Sequence, residues 1–133
     1  MAEAGGYILR IATEEWVDQV FDMAIYYTST SRKWVPGQTL LFVHKTSLGD
    51  AFVGYGVIEA IREKDDLSED ERHMCEEHGW KRAIEFQYVK RFEKPLPIKE
   101  TVLKGTKLRG RFLHGLQLGR EQVDSIISRA ESP

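Results

Sequence analysis

Two apolar runs separated by a short polar break constrain this chain more than any other feature. Thr39-Leu40-Leu41-Phe42-Val43-His44 reads as a buried strand, Ser47-Leu48-Gly49-Asp50 as a hairpin connection, and Ala51 to Ile61 as a second, longer strand. So short a connection cannot hold a crossover helix, so the two strands must run antiparallel. That disfavours a doubly wound parallel sheet and points to a mixed sheet. Gly54 and Gly56 stand at i and i+2 in the longer run. Glycines there mark a bulge, a barrel bend or close approach of another backbone.

The flanking segments fill in the order. Tyr7 to Ile11 is β-leaning and apolar. Thr13 precedes Glu14 and Glu15 as a helix N-cap with acids that suit the helix dipole. Trp16, Val17, Val20, Phe21 and Ala24 then recur at helical spacing, which predicts a helix ending near Ala24–Tyr26. Tyr27 to Trp34 is hydroxyl-rich and reads as a loop, and Val35-Pro36-Gly37-Gln38 as a turn. Ser68 with Glu71 forms a capping-box pattern that opens an acidic helix, and Gly79 ends it. Ala83 to Phe92 is strand-like, with Pro95 and Pro97 flanking a turn into Ile98. Thr101 to Leu113 is mixed, a short strand or irregular, and Arg120 to Ala130 carries one apolar helical face. The expectation is an α+β fold: a mixed, strongly curved sheet or small β-barrel flanked by helices.

A chain of 133 residues is about one ordinary domain, so a single domain over 1–133 is expected. With 41% hydrophobic and 30% charged residues, disorder is disfavoured. Cys75 is the only cysteine, which excludes an internal disulfide and a cysteine-rich zinc site. No run approaches the ~18–20 apolar residues of a membrane span, and no apolar signal core follows the acidic start. A cytoplasmic protein with no membrane partner is expected.

The net charge of −2 hides a segregation: Gly79 to Arg120 holds 11 basic and 3 acidic residues, while Glu59 to His78 holds 3 and 9. A basic stretch of this kind forms either a phosphate-attracting surface or a set of solvated lysines scattered over β-structure.

Familiar chemical motifs are weak here. Gly54-Tyr55-Gly56 lies inside a strand and Lys104-Gly105-Thr106-Lys107 reads as a basic turn, so neither makes a phosphate cradle. Cys75 and His78 could share a helix face as metal ligands; the alternative is an exposed acidic helix, and no metal or other cofactor is expected. No nucleophile elbow is present, and acidic neighbours would raise rather than lower the Cys75 pKa. The carboxylate pairs all fall in charged runs and read as solvated surface.

The aromatic residues say more. Tyr26, Tyr27, Trp34, Tyr55 and Trp80 border expected loops, with Thr28, Ser29, Thr30 and Ser31 between them. Arg32, Lys33, Lys45, Lys81 and Arg82 lie close by in sequence. Rings to stack a base, hydroxyls to read its edge and cations for the backbone compose a base pocket. The competing reading of the same rings is core packing.

Three stretches carry a family resemblance. Trp34-Val35-Pro36-Gly37-Gln38 followed by Thr39 to Val43 resembles the Pro-Gly-Asp turn and apolar strand of EVE domains, with Gln38 where Asp is usual. Phe52 to Ile58 resembles the next strand, and Trp80 to Lys90 with Pro95-Leu96-Pro97-Ile98 a later strand and its exit. The chain thus resembles the PUA-like superfamily, and within it the EVE and YTH domains. The resemblance implies a mixed β-barrel with flanking helices. It also implies a pocket for a modified base, walled first by the Tyr26–Trp34 segment and second by Trp80.

The function expected is a nucleic-acid-binding module that takes a single base, plain or methylated, from a single strand or flipped out of a duplex, in RNA or DNA. Tyr27, Trp34, Tyr55 and Trp80 would hold the base, Ser29 and Ser31 would read its edge, and Lys45, Lys81, Arg82, Arg109 and Arg111 would contact phosphates. A binding module is favoured over an enzyme. The alternatives are an ASCH-like amidohydrolase acting on a modified nucleoside and using Lys45 with Glu85 or Glu59, and a protein-interaction domain using the acidic helix at Asp65–Glu77. The oligomeric state is not fixed by the sequence.

Overall fold

A computed structural model describes residues 5–30, 33–105 and 113–132. Its strands are β1 (Gly6–Arg10), β2 (Ile25–Thr28), β3 (Thr39–Thr46), β4 (Gly49–Glu63), β5 (Arg82–Pro97) and β6 (Gln117–Leu118). Its α-helices are α1 (Glu14–Met23), α2 (Glu69–His78) and α3 (Arg120–Glu131), with single 3₁₀ turns at Lys64–Asp66 and Ile98–Glu100.

The hairpin that dominates the sequence forms as expected. β3 and β4 pair antiparallel from Thr39 opposite Val57 to Thr46 opposite Gly49, leaving a two-residue loop. Gly49 takes a φ of 93°, and the Thr46 hydroxyl donates to the Gly49 carbonyl at 2.9 Å while accepting from the Leu48 N–H. The sheet order is β2-β5-β4-β3-β1-β6. β1 and β3 are parallel and the other pairs antiparallel.

The barrel expected from the sequence does not form. The sheet is open: β2 and β6 lie at opposite edges, and no ladder joins them among the described residues. A barrel closes only when its two edge strands pair in register. Edges of four and two residues offer little backbone for that.

Two further boundaries differ. Helix α1 ends at Met23 and is capped by Ala24, which takes the left-handed conformation (φ 54°) and donates its N–H to the Val20 carbonyl. Residues 25–28 then pair with β5 instead of continuing as helix and loop. β5 itself runs through both prolines. Between Phe52–Leu96 and Gly54–Arg91 the ladder shifts, and Pro95 sits in that irregular stretch, where no ladder N–H is needed.

Alternation along the strands builds a core on each side of the sheet. Leu9, Leu40, Phe42, Ile58 and Phe86 pack with Val17 and Val20 of α1. Ile8, Leu41, Val43 and Phe52 pack with Val123 and Ile126 of α3. The two strand glycines are explained by ring packing on the α1 side. A Cβ on Gly54 would lie 2.4 Å from both the Phe21 ring and the Lys90 carbonyl oxygen, and one on Gly56 would lie 2.7 Å from the Phe86 ring. A smaller third cluster, Tyr27, Leu67, Cys75 and Ala83, lies under α2 at the β2 edge.

Candidate aromatic site at the β2 edge

The β2 edge gathers rings from three parts of the chain. Alternation on β2 sends Tyr26 toward the α1 core and Tyr27 toward α2. Tyr27 is buried, and its hydroxyl donates to Glu71 Oε2 at 2.8 Å. The other carboxylate oxygen of Glu71 accepts from the Ser68 hydroxyl at 2.9 Å, and Ser68 caps α2 by accepting from the Glu71 N–H. The Tyr27 hydroxyl holds the Glu71 carboxyl below the usual carboxylate range, and burial with this same carboxylate pushes the Tyr27 phenol well up. Tyr27 is therefore a fixed neutral ring and donor, anchored through α2.

Trp80 is placed by the end of that helix. Gly79 turns the chain at φ 75°, and the N–H groups of Gly79 and Trp80 both donate to the Cys75 carbonyl. Lys81 then donates its N–H to the Thr28 carbonyl at 3.0 Å and accepts from the Lys64 N–H, which ties the segment to β2. The Trp80 ring stacks on Tyr27 at 5.5 Å between centroids and 13° between planes. Trp16, from the first turn of α1, meets Trp80 edge-on at 5.1 Å. His78, exposed on the last turn of α2, stacks on Trp80 at 4.3 Å and 19° and meets Trp16 edge-on at 5.5 Å.

A cavity of about 180 Å³ opens beside these rings, lined by Ala12, Trp16, Gln19, Tyr26, Tyr27 and Trp80. It falls short of the roughly 300–1,000 Å³ of a drug-sized ligand site, which restricts it to something the size of one ring system. Larger depressions occur along β5 and α3, of about 410 Å³ and 580 Å³. They offer mainly charged and hydroxyl side chains such as Lys90, Lys94, Ser125 and Arg129, and Phe92 is the only aromatic residue lining either.

The structure brings together some of the sequence-derived candidates and separates others. Tyr27 and Trp80 meet, and exposed Ser29 follows β2 directly. Trp34 does not join them: it is 5% exposed and packs in the α1-side core against Tyr7 and His114. Tyr55 faces the other side of the sheet, against Tyr88 and Phe92. Ser31, Arg109 and Arg111 lie outside the described residues.

Among the cations, Lys81 is exposed next to Trp80, whereas Arg82 is ion-paired with Glu63 at 3.1 Å and Lys45 sits by the β3–β4 hairpin, in register with Asp50. The enzyme candidates do not converge either. Glu85 bonds Arg62 across β4 and β5, and Glu59 is exposed on β4, in the half of that strand away from the hairpin that carries Lys45. Cys75 is fully buried while His78 is exposed, so they share no ligand face, and the described residues hold no group of three metal-ligating side chains. The sequence reading missed Trp16, Gln19 and His78 as parts of this site. In the sequence Trp16 reads only as one of the apolar residues at helical spacing, and nothing in the spacing links it to residue 80.

No protein-family model matches the chain, and comparison with curated proteins gives no significant match. Solved structures do match in fold. An ASCH protein from Zymomonas mobilis superposes with a TM-score of 0.69 at 10% identity, over 95% of this chain and 96% of that one. A single-residue variant of it gives 0.68 at 11% identity, over 97% and 99%. The Pho92 YTH domain in complex with m6A gives 0.60 at 15% identity, over 99% and 87%. No helix among the described residues is long and apolar enough to cross a membrane. The open mixed sheet and the three helices of the described residues thus share their fold with these ASCH and YTH structures.

Proposed function

We propose that this chain is a nucleic-acid-binding module of the EVE/YTH type, one domain over its whole length, that holds a single base at the β2 edge. The observation that carries this reading is the stacked Tyr27–Trp80 pair beside a cavity of one-ring size. Aromatic faces contribute about 1–3 kcal/mol per stacked base and tolerate any base identity. Gln19 supplies a side-chain amide to the cavity wall, able to donate and accept toward a base edge. Ser29, directly after β2, would read the base edge; Ser31, outside the described residues, is assigned the same role from the sequence alone. Lys81 is the cation placed for a neighbouring phosphate; Lys45 and Arg82 would add charge farther out, and Arg109 and Arg111, outside the described residues, are assigned phosphates from the sequence alone. The fold shared with a YTH domain solved in complex with m6A supports a methylated base as one ligand to try.

The test is a tryptophan-fluorescence titration with short single strands of RNA and DNA, with and without methylated bases, at two salt concentrations. Quenching that weakens as salt rises is the expected result. Absence of binding to every strand at low salt would refute the reading.

A further inference from the structure

The rings around Trp80 are not held alike. Tyr27 is buried and fastened through its hydroxyl to Glu71. The Trp16 ring is half-buried and packs against the α1-side core, while the backbone N–H of Trp16 donates to the Thr13 cap. His78 is exposed, and among the described residues its imidazole has neither hydrogen bond nor ion pair; its contacts are the rings of Trp80 and Trp16. It also sits at the end of α2, next to the open backbone at Gly79, where a Cβ would meet nothing within 4 Å. Its distance to Trp80, 4.3 Å at 19°, is that of a stacked pair and is closer than the 5.5 Å of Tyr27. Of the three neighbours, His78 is the one that can leave without breaking a polar contact or opening the core.

We propose that the His78 imidazole is a resident stand-in for the ligand ring, and that a bound base takes the surface of Trp80 that His78 now covers. This rests on the base-pocket reading above and adds to it a position and an order of events. A flat heteroaromatic ring is the class of ligand that fits, because it replaces one stacked ring by another. A base presents a larger π-face than an imidazole, so the exchange favours the base, while an aliphatic or non-planar group would lose the stack. In the free protein that face of Trp80 would then be covered, while the cavity beside the ring, which His78 does not line, stays open; His78 would compete with every ligand for the face equally.

The experiment pairs binding with a direct view of His78. The imidazole protons of His78 are followed by NMR as a short mixed-sequence RNA strand, and separately a DNA strand, is added; affinities of wild type, H78A, H78Q and W80A are measured by fluorescence anisotropy of the labelled strand. In the free protein the His78 signals should be displaced by the Trp80 ring current, and saturation with the strand should return them to ordinary positions. H78A and H78Q should bind roughly two- to tenfold more tightly, the range expected from removing one stacked aromatic competitor. Binding lost in W80A, with His78 signals unmoved at saturation or with weaker binding by H78A and H78Q, would overturn the stand-in role and leave the pocket reading intact. Failure of wild type and both His78 variants to bind either strand would overturn the pocket reading, and this proposal with it.

Discussion

Two tryptophans flanking expected loops end in opposite circumstances. Trp34 is 5% exposed, wedged between Tyr7 and His114 in the core beneath α1, with no acceptor for its indole N–H among the described residues. Trp80 is half-buried at the edge of the sheet, on a helix C-terminal turn, with rings around it and a cavity beside it. The same side chain does two jobs because of what precedes it. Trp34 leads into a central strand and is swallowed by the sheet; Trp80 follows the left-handed Gly79 and is presented at the rim. A ring recruited to hold the core together is not free to meet a ligand.

The largest effect that tests this contrast is on stability. Trp34→Ala should cost about 3–5 kcal/mol, as expected for deleting a buried aromatic, and chemical denaturation would measure it. If that variant instead lost binding with an unchanged midpoint, Trp34 would be the working wall and the contrast would reverse. Next in size, Trp80→Ala should weaken strand binding by about 1–3 kcal/mol while moving the denaturation midpoint less than Trp34→Ala does. Equal destabilisation by the two would mean that the rim ring is also core.

Tyr27→Phe comes third. It keeps the ring and removes the bond to Glu71, so binding should survive while stability falls by about 1–2 kcal/mol. The pH dependence carries the signature. Glu71 ionises more readily in the folded chain, so its contribution is fully present above the ordinary carboxylate pKa and is lost as pH falls through the lowered folded value. Thermal unfolding followed from about pH 6 to pH 3 should show a shallower acid loss in the Phe variant. An unchanged slope would show that Tyr27 does not govern Glu71. Smallest of the four, Lys81→Ala should reduce the salt slope of binding by about one phosphate contact and leave stability alone. No change in slope would remove Lys81 from the interface.

What could be read in the sequence was what local chemistry decides. The β3–β4 hairpin, the Ser68 cap, the Gly79 stop and the α3 apolar face each rest on a few adjacent residues. Closure of the sheet did not: it turns on whether β2 and β6 meet, and strands that short leave no periodic signal. The charge pattern left two readings open for a related reason. The basic stretch after Gly79 is partly neutralised in space, where Arg82 pairs with Glu63, Lys90 with Glu131 and Arg91 with Asp18. Each partner lies far away in sequence. Within the site, Tyr27 and Trp80 were recognisable as rings near loops, but strand parity decides which rings share a side. Tyr55 stands between Gly54 and Gly56, and so points away from the face on which those glycines make room for Phe21 and Phe86.

Cys75 gives the molecule a clock. Its thiol is fully buried beneath α2, and burial pushes its pKa up, so a thiol-labelling reagent finds little reactive thiolate while the helix is docked. Modification must wait for α2 to lift from the sheet. The labelling rate under native conditions therefore reports the opening free energy of the segment that carries Glu71 and His78 and delivers Trp80, separately from unfolding of the whole chain. A ligand seated on Trp80 would slow that clock without needing to touch the cysteine.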